Sequence, residues 1–439
     1  MHLTKHSLIN FTSQTVVLVF SLITSIILAR VLGPEGKGVY FLVFMIAATS
    51  FNLAHSSITV AGVYYIGTKK YRLEDLVINF IFLAIFLGII GIAIVFVLFR
   101  FISLYLLKNV DPLYLKVALF FIPLSLLTSF LSWIFLGLND IPKYNLINII
   151  RVVSTTALVA IVCLFWRNIL FFIIANLSAY VVASITALVL LSGYLKKGGR
   201  FNFRLIKDVL IYGWKGHLGE ILFNLINRLD SYLVKFFLGA TFLGFYSVAL
   251  IAENLWLIPM AIGMALFPKV SSSLLKDKNK DTAAVCRHSV FLTFLGAFVL
   301  FIIAKFLIKF FFGQPFLPAV QPLWILLPGI ASLSVTKTLK QYLSGTGRPQ
   351  IATYSAMMTI VVCIFLNLVL IPRMGISGAA LATTCSYFVY AGIILMAFLR
   401  LSGNRLTDTI IIKKQDFLVY RDFISDLYHA IRKSKSHNA

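Results

Sequence analysis

Long runs of apolar residues recur along the chain from Leu8 almost to Arg400, and short clusters of Gly, Pro, Asn and Lys interrupt them. Because one helical crossing of a bilayer takes roughly 20 residues, this pattern predicts a membrane protein made of spanning helices, with no soluble domain between them. We place twelve helices, over residues 8–32, 38–66, 76–99, 113–138, 144–166, 168–195, 205–238, 241–268, 285–312, 317–344, 350–371 and 376–399.

The composition supports lipid as the solvent of this chain. Of its 439 residues 60% are hydrophobic and only 12% are charged, and the mean hydropathy is +0.95, which excludes a water-soluble domain. The basic start at Met1 to His6 precedes an apolar run that is too long for a cleaved signal peptide, so we interpret it as the first spanning helix. Four scattered cysteines predict neither a metal site nor a redox site.

The net charge of +24 does not indicate a nucleic-acid partner, because the basic residues lie mostly in the connections between apolar runs. Of the 39 Lys and Arg residues, 24 fall in connections on the side shared by both termini, 10 fall on the other side, and five fall inside predicted helices. Lys37 is among the ten. By the positive-inside rule both termini are predicted to be cytoplasmic.

An internal repeat organises the chain. The pattern Leu32-Gly33, four residues, Gly38 recurs 206 residues later as Leu238-Gly239, four residues, Gly244. Two further matches, Pro142 with Pro349 and residues 175–180 with 382–387, fall at an offset of 207. Three matches at nearly one spacing indicate duplication. With six helices per unit the repeat is parallel, which predicts a site between the halves. The predicted domains are an N-terminal six-helix lobe, 1–200, a C-terminal six-helix lobe, 201–400, and a basic amphipathic cytoplasmic tail, 401–439.

Three segments carry a resemblance to a known family: residues 29–40 (ARVLGPEGKGVY), 228–249 and 371–382 (IPRMGISGAALA). They resemble the polysaccharide-biosynthesis branch of the multidrug/oligosaccharidyl-lipid/polysaccharide exporter superfamily, and the resemblance spans roughly residues 5–400. It implies an all-α, V-shaped pair of six-helix lobes around a central, often cationic cavity. It also implies transport of undecaprenyl-diphosphate-linked oligosaccharides, such as O-antigen or exopolysaccharide repeat units, from the cytoplasmic to the outer leaflet by alternating access. The implied location is the plasma (inner) membrane of a bacterium or archaeon. Polysaccharide polymerase and chain-length proteins are the implied protein partners, and no cofactor is expected.

Basic residues inside predicted helices are the first candidates for substrate binding. A cation at the centre of a lipid-facing helix costs about 2.5–3.5 kcal/mol, so such residues face a wet cavity or a partner. Only the acids Glu220, Asp230 and Glu253 share that location, and the resulting positive excess suits a diphosphate. Mutual ion pairs, or residues that belong to connections, are the alternative interpretation. The five basic candidates are Arg151, Lys215, Arg228, Lys337 and Lys340.

The helix predicted at 205–238 carries a polar stripe at spacings of 3, 4, 3 and 4, which places its members on one helical face: His217, Glu220, Asn224, Asn227 and Ser231. The stripe either lines the cavity or packs by interhelical hydrogen bonds. In the first interpretation Asn224 and Asn227 bind substrate. Glu220, Glu253 and His217 are candidates for coupling to a proton or Na⁺. An ion pair of either acid with Lys215 or Arg228 is the alternative. A weaker stripe through Thr49 and Asn52 favours packing.

Motifs for catalysis are missing from the sequence: it contains no GxSxG, Walker A or HExxH pattern, so no enzyme is predicted. The best prediction is a lipid-linked saccharide flippase. The alternative is a cation-coupled multidrug efflux antiporter of the same superfamily, whose cavity would be rich in acids and aromatic residues. A membrane-embedded glycosyltransferase or polymerase would need acids in sizeable loops, whereas the longer connections here are basic.

Overall fold

The regular structure is helical throughout the part of the chain that is described. A computed structural model describes residues 2–55, 58–259, 278–414 and 416, except for the side chains of residues 2–8, 11, 215 and 216. Its α-helices are α1 (His2–His55), α2 (Ile58–Gly67), α3 (Leu73–Val97), α4 (Phe99–Tyr105), α5 (Pro112–Ala118), α6 (Phe121–Gly137), α7 (Ile141–Phe165), α8 (Ile169–Leu190), α9 (Ser192–Leu195), α10 (Phe203–Leu238), α11 (Ala240–Ala249), α12 (Lys278–Leu307), α13 (Val320–Gly345), α14 (Gln350–Ser402) and α15 (Leu406–Ile410). A 3₁₀ helix, Leu250–Trp256, follows α11. A π turn, Ile308–Phe312, and a second 3₁₀ helix, Gln314–Ala319, join α12 to α13.

Nine helical stretches of the described residues are long and apolar enough to cross a membrane. Two of them, Thr12–His55 and Gln350–Ser402, are broken in the middle, at Gly33 and Gly375, so each supplies two limbs. With α10 as a further crossing, each of the twelve predicted helices has a counterpart, although residues 260–268 of the eighth lie outside the described ranges. The predicted all-α membrane fold is therefore confirmed.

Single glycines make two of the turns that the sequence places in longer connections. Gly33 has φ 65° and Gly375 has φ 62°, in the left-handed region that favours glycine, and the chain is helical immediately before and after each. Pro34 suits the first turn of a helix because its φ is fixed. The assignment of Lys37 to a connection is therefore wrong: it belongs to the second limb of α1, and only 6% of it is exposed.

The two copies of the repeated glycine motif pack against each other reciprocally. A Cβ atom on Gly38 would lie 1.9 Å from the carbonyl oxygen of Ala240, and one on Gly244 would lie 1.8 Å from that of Pro34. Ala240 and Gly244 are the repeat equivalents of Pro34 and Gly38. A contact in which each copy offers the same residues to the other is the arrangement produced by a two-fold axis.

After α14 the chain returns to the start of α12. The Arg287 guanidinium donates to both carboxylate oxygens of Asp416, over 2.5 Å from Nε and 2.7 Å from Nη2, and also to the Asp408 carbonyl oxygen. Arg287 and Asp416 are each only 7% exposed. This contact fixes the beginning of the predicted tail, whereas the amphipathic helix predicted over 417–431 lies outside the described residues.

Candidate functional site

A cavity of about 360 Å³ lies between the second limb of α1 and the middle of α10. Its two walls therefore come from the two copies of the repeat. The weaker polar stripe contributes Thr49 and Asn52 to the wall. Thr49 also packs against α10 as the sequence favours, since its hydroxyl lies 2.7 Å from that of Tyr232. The full lining is Met45, Ala48, Thr49, Asn52, Leu53, Ile221, Asn224, Leu225 and Arg228.

Arg228 brings a positive charge to this cavity and holds a carboxylate behind it. Its guanidinium donates to Glu253 of the first 3₁₀ helix in a two-pronged pair, with Nη1–Oε1 3.2 Å, Nη1–Oε2 3.1 Å and Nη2–Oε2 3.1 Å. The Arg228 side chain is 35% exposed, but that of Glu253 is only 14% exposed. The arginine is therefore the accessible partner, and the acid is the buried one.

Two lysines of α13 lie beside α10 on the same side of the molecule as this pair. The Lys340 ammonium is 2.7 Å from Glu220 Oε1. The Lys337 ammonium lies 4.6 Å from the centre of the Phe223 ring and 5.0 Å from that of Trp256, within the range of cation–π attraction. No described acid lies within ion-pair distance of Lys337. The Lys337 ammonium thus contacts two aromatic rings, and no described acid neutralises it by direct contact.

The polar stripe of α10 shares one helical face but not one environment. Asn224 lines the cavity, and its side-chain amide donates to the Glu220 carbonyl oxygen over 2.9 Å. His217 is 3% exposed and its Nε2 lies 3.0 Å from the Leu53 carbonyl oxygen. Asn227 accepts a hydrogen bond of 3.1 Å from the Tyr387 hydroxyl, and Ser231 is fully buried. The stripe therefore lines the cavity at Asn224 and packs against neighbouring helices at His217, Asn227 and Ser231.

Asp230 lies away from the cavity, as the helical spacing predicts. It is fully buried and accepts hydrogen bonds from the Tyr246 hydroxyl (2.6 Å), the Thr383 hydroxyl (2.8 Å) and the Ser231 backbone amide (2.5 Å). Protein groups thus satisfy the hydrogen-bonding capacity of this carboxylate, which forms no ion pair with Arg228 or the lysines.

The structure gathers most but not all of the predicted substrate-binding residues. Arg228, Asn224, Asn227, Lys337 and Lys340 lie on or beside α10, together with the coupling candidates Glu220, Glu253 and His217. Arg151 is separate: it lies on α7, with its Nη1 3.4 Å from the Tyr180 hydroxyl, and lines a second cavity. The Lys215 side chain lies outside the described side chains.

The fold is shared with solved structures of membrane transporters. An inward-facing multidrug resistance MATE family transporter of the MOP superfamily superposes with a TM-score of 0.75 at 14% identity, over 88% of this chain and 94% of that one. The lipid II flippase MurJ, in an inward closed conformation, superposes with a TM-score of 0.70 at 16% identity, over 98% and 99%. At such identities the likeness shows the shared fold alone.

Sequence comparison then gives the family. The chain belongs to the polysaccharide biosynthesis protein family, whose model matches residues 3–274, and this confirms the predicted resemblance. A putative O-antigen transporter of Shigella flexneri is 24% identical over 416 residues, which covers 87% of this chain and 94% of the relative. In three other curated relatives the match spans 51%, 46% and 38% of their length.

Proposed function

We propose that this protein is a flippase that moves an undecaprenyl-diphosphate-linked oligosaccharide from the cytoplasmic to the outer leaflet by alternating access. The observation that carries the proposal is a cation, Lys337, that lies beside the polar cavity between the two repeats and has no described acid within ion-pair distance. Arg228 and Lys340 each have an acid partner, but Lys337 adds a cation without one. A diphosphate head group needs compensating charge on its path, whereas a cationic drug would be repelled there.

The residues of the cavity supply two kinds of contact. Arg228 presents a planar donor fork that matches phosphate oxygens, and its pair with Glu253 keeps that fork oriented while the cavity holds no substrate. Lys337 and Lys340 add point charges. The amides and hydroxyl of Asn224, Asn52 and Thr49 are suited to sugar hydroxyls. In this proposal the diphosphate lies towards Arg228 and the first sugars lie along α1.

Alternating access requires two bodies that move against each other, and we propose that these are the lobes 1–200 and 201–400. The reciprocal contact of Gly38 and Gly244 supports this division, since backbones that meet without side chains can pivot at a closely packed point. The tail 401–439 would stay with the second lobe through Arg287 and Asp416.

Coupling to an ion gradient is assigned in this proposal to Glu220. Its side chain is 51% exposed, whereas Glu253 is buried behind Arg228 and His217 is hydrogen-bonded to the Leu53 carbonyl. An exposed carboxylate next to one lysine can exchange a proton or Na⁺ with water. If a protonophore inhibits export by the wild type, export by Glu220→Gln should be insensitive to it. If external Na⁺ stimulates export by the wild type, it should not stimulate export by the variant.

The cellular setting follows from the charge distribution and the family. We propose that the protein lies in the plasma membrane with both termini in the cytoplasm, and that polysaccharide polymerase and chain-length proteins take over the product. External labelling of single cysteines tests the topology. Lys108→Cys should react with an impermeant reagent in intact cells, and Lys278→Cys should not.

Deletion of the gene tests the function itself. We expect lipid-linked saccharide to accumulate on the cytoplasmic leaflet and surface polysaccharide to disappear, with little change in sensitivity to cationic dyes. Complementation with the wild-type gene is the control. Normal surface polysaccharide together with new sensitivity to cationic dyes would contradict the flippase and favour the antiporter.

A further inference from the structure

A second cavity, of about 230 Å³, lies inside the N-terminal half, between α1, α7 and α8. It shares no lining residue with the cavity between the repeats. Two of its lining residues are basic, and none of the residues that form it is acidic. The lining is Ser21, Thr24, Ser25, Leu28, Lys37, Tyr40, Arg151, Val152, Thr155 and Asn176.

Lys37 directs its charge into this cavity rather than towards water. It lies four residues after the break at Gly33, and its ammonium donates over 2.9 Å to Ser25 Oγ, eight residues before the break. At 1.5 Å per residue, Ser25 is roughly 6 Å further from the turn than the Lys37 backbone. A lysine near a helix end normally extends its side chain towards the membrane surface. Lys37 does the opposite, and it is only 6% exposed.

Arg151 supplies the second cation from α7. Its guanidinium lies 5.2 Å from the centre of the Tyr180 ring and its Nη1 is 3.4 Å from the Tyr180 hydroxyl. No described acid forms an ion pair with Arg151 or Lys37, in contrast to Arg228 and Lys340. The two cations of this cavity contact only hydroxyl groups and an aromatic ring. A bound anion would supply the negative charge that balances them.

Asn176 adds an unused acceptor to this wall. Its side-chain amide donates to the Tyr40 hydroxyl over 3.0 Å, which orients the group, while its Oδ1 is buried and has no hydrogen-bond partner. A ligand that brings both negative charge and a hydroxyl, such as a partly protonated phosphate, would satisfy the cations and this oxygen together.

We propose that this cavity is a binding site for a phosphate or diphosphate anion, with Lys37 and Arg151 as its charged ligands and Ser25 and Asn176 as its polar ones. Two kinds of molecule carry such an anion: a lipid-linked saccharide, in its diphosphate head group, and free inorganic phosphate or pyrophosphate. The first source rests on the proposed function and makes the cavity a second station for the head group. The second does not depend on it.

Binding of labelled inorganic pyrophosphate to the purified full-length protein tests the site. We expect saturable binding that Lys37→Gln and Arg151→Gln each weaken about 10- to 100-fold, the loss expected for one charged hydrogen-bonding partner. Lys37→Arg and Arg151→Lys should retain most of the affinity, and gel filtration with thermal melting should show that all four variants are folded. Arg167→Gln and Lys116→Gln, which remove exposed basic residues of the same half, are matched controls and should bind like the wild type. The site would be overturned by a lack of saturable binding in the wild type, or by wild-type affinity in both Lys37→Gln and Arg151→Gln.

Competition in nanodiscs identifies the source of the anion. Displacement of pyrophosphate by undecaprenyl diphosphate would assign the site to the lipid head group, and displacement by inorganic phosphate alone would assign it to a soluble anion. The outcome is separable from the proposed function. If the Gln variants lose binding while the deletion strain exports normally, the flippase fails and the anion site stands. If the deletion abolishes export while these variants bind like the wild type, the reverse holds.

Discussion

The two cavities differ in how their positive charge is balanced. Between the repeats, Arg228 pairs with Glu253, and Lys340 pairs nearby with Glu220. Inside the N-terminal half, Lys37 and Arg151 share a cavity with hydroxyl, amide and aromatic groups and no described acid. A count of charges in the predicted helices cannot show this difference. The positions of the acids, rather than the total charge, decide whether a cation already forms an ion pair or is available to bind an anion.

The comparison also predicts different responses to substitution. A cation with a buried partner leaves an uncompensated acid behind when it is removed, so the fold suffers together with binding. A cation without an acid partner can be neutralised with less damage to the fold. Variants of the paired cavity should therefore lose stability and transport, whereas those of the N-terminal cavity should lose mainly anion binding.

The largest effect is expected for Arg228→Ala. It leaves the largely buried Glu253 without its partner. This costs about 3–5 kcal/mol in a fully buried pair and less here, because Arg228 is 35% exposed, so both protein abundance and polysaccharide export should fall. The double variant Arg228→Met with Glu253→Gln separates the two effects, because it removes both charges. Quantitative immunoblots should show recovered abundance, while export stays absent. Normal export by the double variant would remove Arg228 from the transport site.

The next effect concerns the contact that joins the repeats. Gly38→Ala would place a methyl group 1.9 Å from the Ala240 carbonyl oxygen, and backbone on both sides would have to move. Overpacking of this kind typically costs about 1–3 kcal/mol, and we expect a lower melting temperature in detergent together with reduced export. Gly67→Ala is the matched control, because its Cβ would meet no atom within 4 Å. Equal melting temperatures for the two variants would contradict the close contact.

The glycine motif shows how far the sequence predicts the fold. Its recurrence at an offset of 206 residues predicted the duplication, because a turn that only glycine can make leaves a mark in the sequence. The length of the turn at Gly33 was not predictable. Hydropathy shows where apolar runs weaken, but not that one residue suffices to reverse the chain. Lys37 was therefore placed in a connection and its cavity was missed.

The cavity between the repeats was predictable only in part. Helical spacing placed Asn224 on a polar face, and the insertion cost of a cation pointed to Arg228. The sequence offers Glu220 and Glu253 as alternative ion-pair partners of Arg228. It does not show which acid forms the pair, because Glu253 lies 25 residues further along, on a 3₁₀ helix that periodicity does not reveal. Residues one turn apart on α10, such as Asn224 and Asn227, differ because the neighbouring helices differ.

A smaller effect on stability is expected for Lys337→Ala. The lysine loses its contacts with Phe223 and Trp256, which are worth about 0.5–2 kcal/mol, but no acid loses an ion-pair partner. Melting should shift little, whereas export should fall because the cation without an acid partner is gone. Lys337→Arg keeps charge and ring contacts and should restore export. Export by the Ala variant at the wild-type rate would contradict a role for this charge.

The smallest effect on export is expected at an ion pair that lies away from the cavity. Arg287 lowers the pKa of the Asp416 carboxyl by hydrogen bonding to it, outside the membrane-spanning segments. A carboxyl whose pKa falls on folding stabilises the folded chain above its unfolded pKa, about 4, and this contribution disappears as the pH falls through the lower folded pKa. Asp416→Asn keeps one acceptor for Arg287 but leaves the buried guanidinium without its counter-charge, so the variant should melt below the wild type at neutral pH. The difference should shrink at acidic pH, and export per folded protein should not change. A difference in melting temperature that is constant down to the lowest pH at which the protein stays folded would show that the charge of Asp416 contributes nothing.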